Sequence, residues 1–379
     1  MSATGRGERA GAARGERAGV ARADREQRVL SIIETARAKR AKFRDERVTM
    51  AHGAGGKATQ GLIEGLLLPA LDPDGAGTLA QLADAGTVDG DLLLTTDAFV
   101  VTPLRFPGGS IGELAVNGTV NDLAVAGARP LGLSLSLILE EGLPADVLRA
   151  EVEAIATAAA AAEVAVVTGD TKVVERGHAD GMYVTTAGVG RRDPRARVAP
   201  DALRPGDRVL VSGPVGEHGT AIMLARGEFD LDADVTSDTH SLWPAADALL
   251  GAAGSALRCM RDATRGGVAS VLNELARASG VGVSVREADV PVRPVVSGAA
   301  EILGIDPLSI ANEGVLLAFV APGQADAALA ALRAVPGHEQ AAEIGEVRAE
   351  PPGMVLVDTA FGGRRVMDQL VGDPLPRIC

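Results

Sequence analysis

From Val48 to the C-terminus, apolar runs of strand length alternate with stretches of helical periodicity, in an order that is mixed rather than strictly strand–helix–strand. A chain patterned this way folds as an α/β or α+β protein. The pattern predicts strands over 92–96, 131–139, 164–168, 182–188, 208–212, 282–286, 315–320 and 354–358. It predicts helices over 111–126, 144–162, 219–226, 265–279 and 325–334. The turn-forming run Arg204-Pro205-Gly206-Asp207 opens a second series of elements, which places a domain boundary near residue 195. Two domains, 48–195 and 196–360, follow. Residues 361–379 are expected to be a flexible tail, because the closing DPLPRIC carries prolines that lack donors and favour extended geometry.

Residues 1–47 differ in kind. They hold 13 Lys and Arg against 7 Asp and Glu, and residues 7–22 repeat an octapeptide, GERAGAAR then GERAGVAR. This part reads as a basic, largely disordered extension. The rest is acidic, with 24 Lys and Arg against 43 Asp and Glu, which argues against nucleic acid as the main ligand. No run of 18 apolar residues occurs, so no membrane span is expected and a cytoplasmic location is. Two cysteines, Cys259 and Cys379, offer neither a disulfide framework nor a zinc site.

Lysine usage is more informative. Only four lysines stand beside 33 arginines, and past residue 42 just Lys57 and Lys172 remain. Both close motif-like segments, GAGGK at 53–57 and GDTK at 169–172. The first lacks P-loop spacing, yet Gly55 and Gly56 can bring backbone N–H groups to a phosphate while Lys57 adds charge; a plain turn is the alternative. Asp97 and Asp170, the latter followed by Thr171, are placed at the ends of apolar strands, where ligand sites gather. Asn121-Asp122 interrupts an otherwise apolar helical stretch, and a carboxylate there needs a partner or a cation. With Asp84 and Asp262 these acids can together hold Mg²⁺ and orient ATP, although each taken alone reads more readily as structural, Asp262 as a helix N-cap and Asp97 and Asp170 as turn residues. Glu313, in Asn312-Glu313-Gly314 before an apolar strand, is a candidate general base.

Taken in order, these segments resemble the HypE family of hydrogenase maturation factors. The matching stretches are AHGAGGK at 51–57, TTDAFVVTPLRFPGGSIGELAVNGTVNDLAVAGARP at 95–130 and VTGDTKVVERGHADG at 167–181. They continue with CMRDATRGGV at 259–268, SIANEG at 309–314 and the terminal PRIC. The resemblance implies the PurM-like ATP-binding fold shared with aminoimidazole ribonucleotide synthetase, selenophosphate synthetase and thiamine-monophosphate kinase. It further implies a homodimer whose N-terminal domains build a shared β-barrel, with ATP in the cleft. Carried onto this chain, Asp84, Asp97, Asp122 and Asp262 hold Mg²⁺ and phosphates, with Gly55, Gly56, Lys57, Asp170 and Thr171 beside the nucleotide.

The implied reaction begins when the carbamoyltransferase HypF loads a carbamoyl group onto Cys379. ATP-dependent dehydration turns it into a thiocyanate, and the cyano group passes to iron in the HypC–HypD scaffold. The resemblance assigns Lys172 and Glu313 to the modified cysteine. Asn117 stands where the family commonly has Cys, Cys259 reads as structural, and residues 1–47 have no counterpart. A selenophosphate synthetase fits poorly, since no cysteine precedes residue 259.

Overall fold

A long helix without a polar face organises the N-terminal half. In α2 (Ile111–Val125) every residue except Glu113 and Asp122 is buried, so the helix must be covered on all sides. One side packs on a five-stranded sheet, and the other meets elements of a second, seven-stranded sheet. Gly118 lets α2 approach closely, because a Cβ there would come within 2.9 Å of the Phe99 ring.

The structure, a computed structural model, describes residue 43 and residues 45–74, 77–227, 233–372 and 375–379. Most of the expected N-terminal extension, including its octapeptide repeat, lies outside the described residues, as do Asp373 and Pro374.

A short helix α1 (Lys57–Leu62) runs on through a π-helical turn (Ile63–Leu67). The first sheet then comprises β1 (Gly86–Asp89), β2 (Leu92–Phe99), β5 (Ala128–Glu140), β6 (Ala165–Val174) and β7 (Met182–Arg192) in the order β1-β2-β7-β5-β6, while β3 (Arg105–Phe106) and β4 (Gly109–Ser110) form a small separate hairpin. β5 and β6 are parallel, joined by a crossover through α3 (Ala145–Ala161); the other pairs are antiparallel. β6 is one edge of this sheet, β1 the other, and all residues of β6 but the last are exposed.

The second sheet has the order β14-β13-β10-β12-β8-β11-β9. Its strands are β8 (Arg208–Val211), β9 (Leu257–Asp262), β10 (Gly282–Arg286), β11 (Leu316–Val320), β12 (Ala342–Arg348), β13 (Val355–Asp358) and β14 (Arg364–Met367). Helices α4 (Glu217–Ala225), α5 (Trp243–Ala253), α6 (Gly267–Ser279), α7 (Pro294–Leu303) and α8 (Ala325–Arg333) accompany it. β11 is buried at every position, which accounts for its unbroken apolar sequence LLAFV. α6 shares one apolar core with the sheet, and α5 and α8 share another, which Ala124 and Val125 of α2 also join.

Three expectations change. β14 pairs with β13, so the chain remains in the sheet through Met367 and no tail begins at 361. Asp170 is not at a strand end, because β6 continues through the GDTK motif. Asp262 ends β9 rather than capping a helix, since α6 begins only at Gly267.

Candidate active site

Three of the four acids expected at a cation converge. Asp84 precedes β1, Asp122 projects from α2 and Asp262 ends β9, and each offers a carboxylate oxygen within 4.8 Å of the others. Burial pushes Asp84 up to about 6, opposed by Arg261 and helped by Glu274 and Asp97, and pushes Asp262 up to about 8, with Asp84 adding to it. Asp122 is raised well above the carboxylate range, by burial first and then by Asp262 and Asp84. The Thr95 hydroxyl lies 2.7 Å from Asp122 Oδ2, and Arg261 Nε lies 2.8 Å from Asp84 Oδ1. A converging all-oxygen donor set with surplus negative charge suits a hard divalent cation such as Mg²⁺. Asp97 stands outside the trio on β2, raised by burial and partly offset by Arg265.

The glycine-rich segment packs against the RDATRGG loop. Gly266 and Gly267 adopt the left-handed region, and a Cβ on Gly267 would come within 2.5 Å of the Ile310 carbonyl oxygen, so this position requires glycine. Arg265 donates to the Gly53 carbonyl, and Ser270 Oγ donates to the Gly55 carbonyl at 3.2 Å. Gly56 presses on the Leu370 carbonyl, to which the Lys57 amide donates at 3.2 Å. The Lys57 ammonium pairs with Asp368 at 2.7 Å, with both groups accessible from solvent.

Cys379 is held here as well. The chain terminus does not trail outward: Leu375 and Ile378 are buried in the cluster that contains Phe99 and Val101. The Val100 amide donates to Cys379 O at 3.0 Å, and Thr102 donates to Arg377 O at 3.3 Å. The segment turns at Pro376–Arg377 and docks along residues 100–102 through its carbonyls. Cys379 lines a cavity of about 140 Å³ together with Gly53, Ala54, Arg265, Gly266 and Ser309.

Glu313 is buried, and its Oε1 has no hydrogen-bond partner among the described residues. Burial, then Asp97, Asp262 and Asp238, raise its pKa well above the usual range. Its amide donates to Asp238 Oδ1 at 3.0 Å. Gly314 is required beside it, because a Cβ would overlap the Asp238 carbonyl at 1.9 Å. Asp238, pushed up to about 7 by burial, has its Oδ2 equally unpartnered among the described residues.

Asp170, Thr171 and Lys172 are not brought to this cluster within one chain. They lie on β6, which β5 and β7 separate from β2, and Lys172 pairs with Asp170 at 2.7 Å in solvent. At about 4.8 Å per strand the lateral offset from Asp97 on β2 is roughly 14 Å. Sequence reasoning overlooked Arg261, Arg265 and Asp238. The two arginines stand inside the quoted RDATRGG motif, whereas nothing in the sequence around Asp238 marks it.

Two family models match the chain: the AIR synthase related protein, N-terminal domain, over residues 82–192, and its C-terminal domain over 204–358. The carbamoyl dehydratase HypE of Rhodobacter capsulatus is 51% identical over 340 residues, covering 89% of this chain and 99% of the relative. Among solved structures, a HypE–HypF complex superposes with a TM-score of 0.78 at 41% identity, covering 82% of this chain and 99% of that one. HypE in complex with ATP superposes with a TM-score of 0.74 at 43% identity, covering 88% and 100%. With this identity along nearly the whole length of its relatives, and with the PurM-like fold, the chain belongs to the carbamoyl dehydratase HypE family of hydrogenase maturation enzymes.

Proposed function

We propose that this enzyme dehydrates a carbamoyl group carried as a thioester-like adduct on Cys379, consuming ATP and producing a thiocyanate on the same sulfur. The carrying observation is the seating of Cys379 in a cavity bounded by the glycine-rich loop and Arg265. Thiol is the best side-chain nucleophile for accepting a carbamoyl group. Transfer of the γ-phosphoryl to the carbamoyl oxygen converts it to a leaving group. Loss of two N–H protons with departure of phosphate leaves the C≡N triple bond. Glu313, buried with an unpartnered Oε1 and made more basic by that burial, is suited to take an amide proton.

The nucleotide is ATP, placed along the loop that carries Gly55, Gly56 and Lys57, with Asp97 beside it. Asp84, Asp122 and Asp262 would hold Mg²⁺, which when bound neutralises phosphate charge. Lys57 then exchanges Asp368 for a phosphate oxygen. We place the domain division near residue 195, between the two sheets.

Lys172 polarises the carbamoyl oxygen only if a second copy supplies it. The bare β6 edge, with exposed Val166, Val167 and Val173, supports a homodimer whose first sheets close a shared barrel and bring Asp170, Thr171 and Lys172 of one copy to the other's cleft. HypF is the carbamoyl donor and a HypC–HypD complex the cyano acceptor.

Mass spectrometry tests the reading. Incubation with HypF, carbamoyl phosphate and ATP should add about 43 Da to the terminal peptide and then remove about 18 Da, leaving Cys379→Ala unaltered. A terminal peptide that never gains the first mass overturns it.

A further inference from the structure

The terminal segment is held mostly through its main chain, by side chains outside every motif considered so far. His218, fully buried near the start of α4, lies with Nε2 at 2.6 Å from the Ile378 carbonyl oxygen. That oxygen can only accept, so Nε2 carries the proton and Nδ1 is left to accept from Ser237 Oγ at 2.8 Å. The Thr239 amide and the edge of the Phe106 ring fix this arrangement. Burial lowers the His218 pKa to about 4, which keeps the ring in the neutral form that the two partners require.

Arg226, the residue after α4, completes the grip. Its guanidinium NH2 donates to the carbonyls of Pro376 and Arg377, the latter at 2.7 Å, while Nε donates to the Thr102 carbonyl at 2.9 Å. One planar fork thus joins the terminal segment to the stretch 100–102 on which it lies. Arg377 adopts a left-handed backbone at φ +55°, a conformation that a residue with a side chain keeps only when its surroundings hold it. Its guanidinium reaches Asp180 at 2.6 Å and its Nε donates to the Val100 carbonyl.

We infer that His218 and Arg226 are positioning residues for the dehydration, a latch that reads the carbonyls of residues 376–378 and so sets the place of the Cys379 sulfur in its cavity. The inference rests on the proposed function for its catalytic meaning. The seating itself does not. Because the latch grips upstream of the sulfur, Cys379→Ala leaves it engaged, and a modified sulfur is presented from the same anchor.

Alkylation of the whole chain by iodoacetamide at neutral pH, followed by peptide mass spectrometry, tests the latch without ATP or a partner. Cys259, buried with its thiol pushed up to about 12, is an internal control that reacts only on unfolding. Loss of one neutral hydrogen bond in His218→Ala should speed Cys379 alkylation about fivefold, and loss of the fork in Arg226→Ala by more than about tenfold, with Cys259 unlabelled. His218→Gln, which keeps a donor at similar reach, should restore most of the slow rate. Rates equal to that of the unaltered chain in both alanine variants overturn the inference, as does equal acceleration in the glutamine variant. Should His218→Ala expose Cys259, Arg226→Gln carries the test alone. If the latch variants accelerate labelling while the unaltered chain never gains the carbamoyl mass, the proposed function fails and the latch stands.

Discussion

Asn121 Nδ2 donates to the Glu313 carbonyl at 3.0 Å, tying the central helix to the turn that carries the candidate base. The same amide donates to the His240 carbonyl at 3.0 Å, and its Oδ1 accepts from Leu242 N at 2.7 Å. A fully satisfied, buried amide thus joins three segments. Asn121→Ala leaves those groups without partners and should cost about 3 kcal/mol, read as a lowered midpoint in urea. Asn121→Asp should cost at least as much, because a carboxylate would face two carbonyls.

The carboxylate trio fixes a pH dependence. Asp84 and Asp262 have folded pKa values of about 6 and about 8, above the ordinary carboxylate range. Their contribution to stability is therefore complete below that range and is lost as pH rises through 6 and then 8. A divalent cation offsets the repulsion. Mg²⁺ should accordingly raise Tm more above pH 8 than below pH 6, as scanning calorimetry would measure. Asp262→Asn should stabilise the cation-free protein at high pH and abolish most of the Mg²⁺ response.

Glu313→Gln keeps shape and removes the base. Carbamoylation of Cys379 should persist, with the first mass gain intact, while dehydration falls by about 10²-fold or more in single-turnover mass spectrometry. Equal loss of both steps would instead identify Glu313 as part of the docking surface for the donor.

The latch has its own pH signature. His218 has a folded pKa of about 4 against an ordinary value of 6.5, so its contribution is present above 6.5 and is lost as pH falls towards 4. The Cys379 alkylation rate, corrected for thiolate fraction, should rise as pH drops through that window. His218→Gln should flatten the rise.

Lys172 is testable by complementation. Lys172→Ala and Cys379→Ala chains should each be inactive, yet a mixture allowed to exchange subunits should regain dehydration at one site of each mixed dimer. Silence after verified exchange would exclude a role across the interface.

Much of the site was written in residue identity. Of the two isolated lysines only Lys57 marks a segment that packs with RDATRGG and SIANEG: Gly55 lies against Arg265, and Gly267 lies against residues 308–310. Asn121-Asp122 was legible as an anomaly in an apolar helix, yet its two halves separate: Asn121 is a structural crosslink and only Asp122 joins the trio. Helix α5 went unassigned because its small residues carry weak periodicity, although Pro244 in its first turn and Gly254 at its end bound it as expected of a helix. β14 lies in the stretch expected to be tail, because a short strand with two arginines becomes recognisable only beside β13.

Local chemistry is a property of the chain, and so the sequence by itself determined the α/β class, the acids suited to a cation, the glycine turns and the thiol at the end. Only the tertiary structure decided that Asp97 stands apart from the trio, that Lys172 lies on an exposed edge, and that Leu375 and Ile378 bury themselves to seat Cys379. Those outcomes depend on which strands become neighbours and what covers a carbonyl, and both are set by packing between segments separated in the sequence. His218 and Arg226 carry no motif. They acquire a role because α4 ends beside the terminal carbonyls, and that proximity exists only in the fold.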